Sequence, residues 1–180
     1  MPQLAETPGP ALRPEWSTNP YQPALAHIVR VHRMVPNNHL FTLRFADRHQ
    51  VETFRHAPGQ FVMLSVPAAG EAPISISSSP TRPQVLELCV RRVGRVTNAL
   101  YRLRSSDVVG LRGPYGNGFP VERLAGDDLL LVAGGLGMAP LRSLLWYALD
   151  LRERFRTITL LYGARPWLNP LTTLLRPKRP

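Results

Sequence analysis

A change of hydrophobic period near Val121 constrains this chain more than any other feature. Before it, short apolar runs alternate with polar residues and are cut by Pro, Gly and Asn turns. After it, a nearly unbroken apolar run passes through glycines into a helical pattern and then a second apolar run. A period of two with frequent turn residues predicts an antiparallel barrel or sandwich. A buried strand, a Gly-rich turn, a helix and another buried strand predict the start of a parallel sheet.

The first region resolves into strand candidates at His27–Met34, His39–Phe45, Gln60–Val66, Ile74–Ser78, Val85–Val93 and Asp107–Leu111. One helix is predicted among them, from Thr97 to Arg104, with Leu100, Tyr101 and Leu103 near helical spacing. In the second region Asp128–Ala133 reads as a buried strand and Ala139 to about Arg154 as a helix. Leu141, Leu144, Leu145, Ala148 and Leu151 form that helix's apolar stripe, with Arg142, Asp150 and Glu153 on its polar side. Thr157–Tyr162 is the second buried strand. The boundaries expected are a Pro-rich leader at 1–23, a barrel at 24–121, a partial α/β unit at 127–165 and an irregular basic tail at 166–180.

Composition narrows the classes. Hydrophobic residues make up 44% of the chain, enough to support a core. No apolar run reaches the roughly 18 residues of a membrane helix, and no signal-peptide pattern opens the chain. Cys89 is the single cysteine, so the chain has no internal disulfide and cannot ligate a metal cluster by thiolates alone. A cytoplasmic protein is the expectation. The net charge of +10 comes almost wholly from arginines spread along the chain, since Lys178 is the only lysine. A basic nucleic-acid-binding barrel is one reading of that charge. A scattered arginine bias without any zinc-finger or RNA-recognition signature weighs against it.

Four segments can carry chemistry. Gly134, Gly135, Leu136, Gly137, Met138, Ala139 and Pro140 join a buried strand to a helix. Glycines let backbone approach a ligand, and a helix N-terminus offers free N–H groups to phosphate. The turn lacks the six-residue Gly-x-Gly-x-x-Gly spacing, so a plain tight connection is the alternative. Gly94, Arg95, Val96 and Thr97 place a glycine and a Thr N-cap at a helix start, beside Arg92. An ordinary cap with exposed arginines is the alternative there. Pro73, Ile74, Ser75, Ile76, Ser77, Ser78 and Ser79 alternate apolar groups and hydroxyls, which suits either a ligand edge or a strand facing water. Arg112–Pro120 is a compact turn whose Tyr115 and Phe119 can stack on a flat group or plug a domain interface.

In this order the four segments resemble the ferredoxin–NADP reductase superfamily, in the branch of electron-transfer subunits serving hydrogenases, sulfite reductases and dihydroorotate dehydrogenases. Pro58–Val66 resembles the strand before the flavin site, and Glu71–Pro80 the flavin-binding strand of the hydrogenase gamma-subunit type. The resemblance spans roughly residues 24 to 165. It implies an all-β six-stranded antiparallel FAD-binding barrel followed by an incomplete α/β nucleotide-binding domain. It also implies an oxidoreductase passing electrons between NAD(P)H, through FAD, and an iron–sulfur partner within a hydrogenase- or reductase-type complex.

Under that resemblance Pro73, Ile74, Ser75, Ile76 and Ser77 line the flavin, with Ser75 near its reactive edge. Gly94, Arg95, Val96 and Thr97 hold its pyrophosphate. Gly134, Gly135, Gly137, Met138, Ala139 and Pro140 face the NAD(P)H pyrophosphate. Ala72 and Ile74 depart from the superfamily's Arg-x-Tyr-Ser, which removes a phosphate contact and a stacking ring. The family's cysteine cluster for a [2Fe-2S] centre is absent, and similarity stops near Arg165. A truncated reading frame with impaired activity is the expectation drawn from that end. A non-catalytic remnant that binds another subunit through its apolar edge is the competing one.

Overall fold

Alternation of apolar and polar residues builds six strands: β1 (Ala24–Val35), β2 (Asn38–Phe45), β3 (Phe61–Val66), β4 (Gly70–Ser75), β5 (Leu86–Arg91) and β6 (Val108–Tyr115). The computed structural model describes Asn19 and residues 21–164. The strands form one antiparallel sheet in the order β4-β3-β6-β1-β2-β5. Its two edges approach each other at a single bridge, Ile76 with Leu88, just past the end of β4. Phe41 and Leu43 point inward from β2, with Ile28, Val62, Leu64, Leu88 and Leu111 from the other strands, and all are fully buried. Asn37 turns the β1–β2 hairpin with φ 65, a left-handed conformation that Asn tolerates better than most residues.

Two short helices interrupt the sheet, α1 (Arg48–Thr53) and α2 (Arg95–Leu100). The sequence reading missed α1. It has no apolar stripe and no buried residue, and a local device defines it: the Asp47 carboxylate accepts from the His49 N–H at 3.1 Å. Helix α2 starts two residues before the expected Thr97 and ends at Leu100, not Arg104. The expected strand at Ile74–Ser78 is displaced too, because β4 pairs with β3 over Gly70–Ser75 and the serines beyond it leave the ladder.

The second apolar region forms β7 (Leu129–Gly134), a 3-10 turn at Gly135–Gly137, α3 (Met138–Asp150) and β8 (Ile158–Gly163). Strands β7 and β8 pair in parallel, Leu129 opposite Ile158 through Gly134 opposite Gly163. The expected end of α3 near Arg154 moves to Asp150; a separate 3-10 turn, Arg152–Arg154, follows. Leu129, Leu131 and Ala133 point inward beneath Met138, Leu144 and Leu145, while Leu130 and Val132 lie about two-thirds exposed on the other face. Apart from Asn19 and residues 21–23, the expected leader lies outside the described residues, as do Arg165 and the tail at 166–180. No helix among the described residues is long and apolar enough to cross a membrane.

Candidate functional site

The segment from Gly70 to Arg82 runs between α2 and α3 and is gripped by both. On the α2 side, the helix packs against β3 and β4. Gly70 has φ +98, and a Cβ there would sit 3.3 Å from the Arg95 guanidinium. Arg95 thus reaches from the start of α2 toward the start of β4.

Thr97 is not the N-cap that its position suggested. Gly94 occupies that place, and Thr97 lies one turn inside the helix. Its Oγ1 accepts from the Val93 and Gly94 N–H groups, each at 3.0 Å, and donates to the Gly94 carbonyl at 3.1 Å. The buried hydroxyl therefore shapes the loop from behind. The first-turn amides of Arg95, Val96 and Thr97 have no intrahelical acceptors, as at any helix start. Gly94 itself is exposed, and a Cβ placed on it would meet nothing within 4 Å.

On the other side, α3 lies along residues 77–82. The Arg142 guanidinium donates from Nη1 to the Ser77 carbonyl at 2.6 Å and to Glu87 Oε2 at 2.8 Å. That ion pair is almost wholly buried, with side chains 6% and 7% exposed. Ser143 donates its hydroxyl to the Ser78 carbonyl at 2.6 Å. Asp150 accepts from Arg82 Nη2 at 2.5 Å and also from the Thr81 hydroxyl. Arg82 stacks over Trp146 at 4.7 Å. From the barrel side, the Cys89 N–H donates to Ser77 Oγ at 3.3 Å and the Glu87 N–H to Ser78 Oγ at 3.1 Å. The serine hydroxyls thus face neither water nor an open ligand edge; Ser77, Ser78 and Ser79 are buried and engaged by protein. Upstream, Pro73 is exposed, Ile74 and Ser75 are half-buried, and Ile76 is fully buried.

The glycine turn at the head of α3 is open. A Cβ on Gly134, Gly135 or Gly137 would meet nothing within 4 Å, and Gly135 takes φ +51. Met138 and Ala139 are buried and anchor the turn against Leu40 and Cys89 of the barrel. The Tyr162 hydroxyl donates to the Gly135 carbonyl at 3.2 Å from β8. Pro140 falls in the first turn of α3, where its missing N–H costs nothing. In the Arg112–Pro120 turn, Phe119 packs between the two sheets and lies under Gly59, where a Cβ would come 2.7 Å from its ring. Phe119 is therefore an interface plug. Tyr115 packs on Phe61, with ring centroids 5.7 Å apart.

Cys89 is buried at this interface, its Sγ 4.0 Å from Met34 Sδ. Burial pushes the thiol up to about 11, against a smaller opposing pull from Arg142. A thiol whose folded pKa exceeds its unfolded one contributes stability that is intact below the ordinary thiol pKa and lost as pH rises toward about 11. Cys89→Ala should flatten the alkaline limb of a stability-versus-pH curve over that interval; a limb of unchanged slope would assign it to other groups. The His56 pKa is lowered by burial, against a raising contact in which its Nε2 lies 3.2 Å from the Ser78 carbonyl. Among the described residues no group of three or more His, Cys, Asp or Glu can hold a metal ion. One buried cysteine does not fit a [2Fe-2S] cluster, and none is assigned to this chain.

Sequence reasoning missed Glu87, Arg142, Ser143 and Asp150. It placed Arg142 and Asp150 on the polar side of α3, yet Arg142 is buried and Asp150 binds Arg82. The available signal was a lone carboxylate in the apolar run Val85–Val90, together with an arginine one turn after the glycines. Opposite charges in two apolar stretches imply a buried pair.

Residues 26–119 match the family model of the oxidoreductase FAD-binding domain. The sulfhydrogenase 2 gamma subunit of Pyrococcus furiosus is 47% identical over 149 residues, covering 83% of this chain and 51% of that protein. A probable electron transfer subunit of dihydroorotate dehydrogenase B (NAD(+)) from the same organism is 39% identical over 114 residues, covering 63% of this chain and 40% of that one. A cytochrome P450 reductase from Amycolatopsis superposes with a TM-score of 0.68 at 29% identity, covering 81% of this chain and 44% of that one. The chain spans about half the length of the two sulfhydrogenase gamma subunits it matches. Sheet order, matched segment and relatives agree, and the chain belongs to the oxidoreductase FAD-binding domain family, close to the sulfhydrogenase gamma subunits and with a ferredoxin–NADP reductase-like fold.

Proposed function

We propose that this chain is the FAD-binding part of an electron-transfer subunit that passes electrons between NAD(P)H and an iron–sulfur partner in a hydrogenase- or dihydroorotate dehydrogenase-type complex. One observation carries the reading: the segment Gly70–Arg82 touches both helices that begin at open glycines, α2 at Gly94 and α3 at Gly137. Helix α2 packs on β4 and α3 grips residues 77–82 just past it, so one segment is tied to both helices. Pro73 and Ser75, which face out of the sheet, are the residues of that strand proposed to meet a flavin ring, with Ile74 packed on the core between them. Ile76 and Ser77, buried behind them, fix the strand's course.

Gly94 and the first-turn amides of α2 would receive the FAD pyrophosphate, with Arg95 supplying the positive charge and Thr97 setting the loop. Gly134, Gly135 and Gly137 would receive the NAD(P)H pyrophosphate, held in place by Met138, Ala139 and Pro140. The flavin supplies the redox chemistry when bound, and the chain's residues bind and orient it.

The test is a visible absorption spectrum of the purified chain after FAD is added and the excess removed by desalting. Flavin retained near one per chain supports the reading, and absence of retained flavin sinks it. Thr97→Ala with Arg95→Ala removes the loop's hydroxyl and its cation. It should weaken FAD binding by about tenfold or more, as expected for losing hydrogen bonds to a charged group. Unchanged stoichiometry and affinity would remove this loop from the site.

A further inference from the structure

The segment matching the FAD-binding family ends at residue 119. Two side chains beyond that end hold the strand proposed to line the flavin. Arg142 bonds the main-chain carbonyl of Ser77 at 2.6 Å, and Ser143 bonds that of Ser78 at 2.6 Å. Both are buried, at 5% and 0% exposure.

The helix grips this segment at two places. Arg142 and Ser143 bond the Ser77 and Ser78 carbonyls, and two turns further along Asp150 bonds Thr81 and Arg82, where the chain turns with the Arg82 N–H on the Ser79 carbonyl at 3.1 Å. After the β3 ladder ends at Ser75, the backbone bonds that tie the segment to the barrel are the Ile76 N–H to the Gln60 carbonyl at 3.0 Å, the Ile76–Leu88 bridge and the Ser77 N–H to the Glu87 carbonyl at 2.7 Å; the Ser77 and Ser78 carbonyls turn instead to α3. Glu87 closes the arrangement, because its carboxylate takes the Arg142 charge while its own N–H bonds Ser78 Oγ.

We infer that Arg142 and Ser143 are positioning residues for the flavin site, so that α3, which starts at the nucleotide-facing glycine turn, completes the seat of the flavin from outside the barrel. The inference rests on the reading that Pro73–Ser75 line the flavin. Neither residue touches that surface. Each acts through a carbonyl two to five residues downstream, by fixing where the strand leaves the sheet.

The experiment measures FAD affinity by flavin fluorescence quenching, and the visible absorption and circular dichroism of the bound flavin, for the full chain and three variants. Arg142→Met with Glu87→Gln removes the charge pair without stranding a buried carboxylate. Ser143→Ala removes one donor. Arg82→Gln is the control, since it loosens the same helix contact at its exposed end without touching the Ser77 or Ser78 carbonyl. Far-UV circular dichroism confirms that each is folded at the temperature used.

The expected result is a loss of FAD affinity of about tenfold for the double variant and a few-fold for Ser143→Ala. The flavin bands should shift in both and remain at wild-type positions in Arg82→Gln. Wild-type affinity and bands in the double variant would overturn the inference and leave the functional reading standing. So would an equal loss in Arg82→Gln, which would mean that helix docking in general is being read. If the wild-type chain itself retains no FAD, the functional reading falls and takes this inference with it.

Discussion

Glu87→Ala is expected to destabilise the folded chain by about 3–5 kcal/mol, the usual cost of removing one partner from a buried ion pair. Arg142 would keep its bond to the Ser77 carbonyl but would lose the Glu87 carboxylate that lies beside its buried charge. At roughly 2–4 °C per kcal/mol for a chain of this size, the melting temperature should fall by roughly 10 °C. Glu87→Gln keeps an oxygen within reach of the guanidinium and should cost less. Thermal or urea unfolding, followed by circular dichroism, measures both. A change below about 1 kcal/mol for Glu87→Ala would place the pair in the class of solvent-screened surface bridges, against its 6% and 7% exposure. Loss of the Glu52 side chain, whose pair with Arg48 is 59% and 92% exposed, should leave stability unchanged within error.

Gly135→Val should weaken pyridine-nucleotide binding by more than about tenfold while FAD binding is retained. Valine at φ +51 is strained by about 1–2 kcal/mol, because a β-branched side chain fits the left-handed region poorly. That strain costs folding stability rather than affinity unless the turn relaxes away from φ +51 and carries its amides with it. The new side chain also enters the open space where a pyrophosphate would meet the turn, since a Cβ at this position meets no protein atom within 4 Å. For the same reason the protein itself offers no clash, and the barrel should fold around its flavin normally. Titration with NADH should show affinity reduced by more than about tenfold. Unchanged NADH affinity would show that the turn is only a tight strand-to-helix connection.

How far the sequence could be read follows from where each element gets its stability. Strands β1, β2 and β5 were legible because Ala24, Ala26, Ile28, Phe41, Leu43, Phe45, Leu86, Leu88 and Val90 recur at every second position on their barrel-facing side. The β7–α3–β8 unit was legible because Leu129–Ala133 is apolar on both faces and glycines mark its end. Helix α1 was not, since its only determinants are a single carboxylate cap and exposed side chains. Thr97 was recognised as important but given the wrong task. A hydroxyl near a helix start can cap from outside or brace the loop from one turn within, and only the backbone distinguishes the two. The grip of α3 on Ser77 and Ser78 was hidden most deeply, because main-chain carbonyls are its acceptors and every residue type carries one.

The meeting of the barrel's edges at Ile76 and Leu88 has a consequence for how such a site can diverge. A strand fixed by a long ladder can be moved only by shifting its register, which turns every side chain to the opposite face. Past Ser75 this segment is held from the barrel by a few bonds around Ser77 and Ser78 and from α3 by Arg142, Ser143 and Asp150. If Pro73–Ser75 line the flavin as proposed, single substitutions at those positions would shift its seat while the barrel's pairing stays intact. A lineage could tune its cofactor geometry there through point mutations in a helix that the barrel does not own.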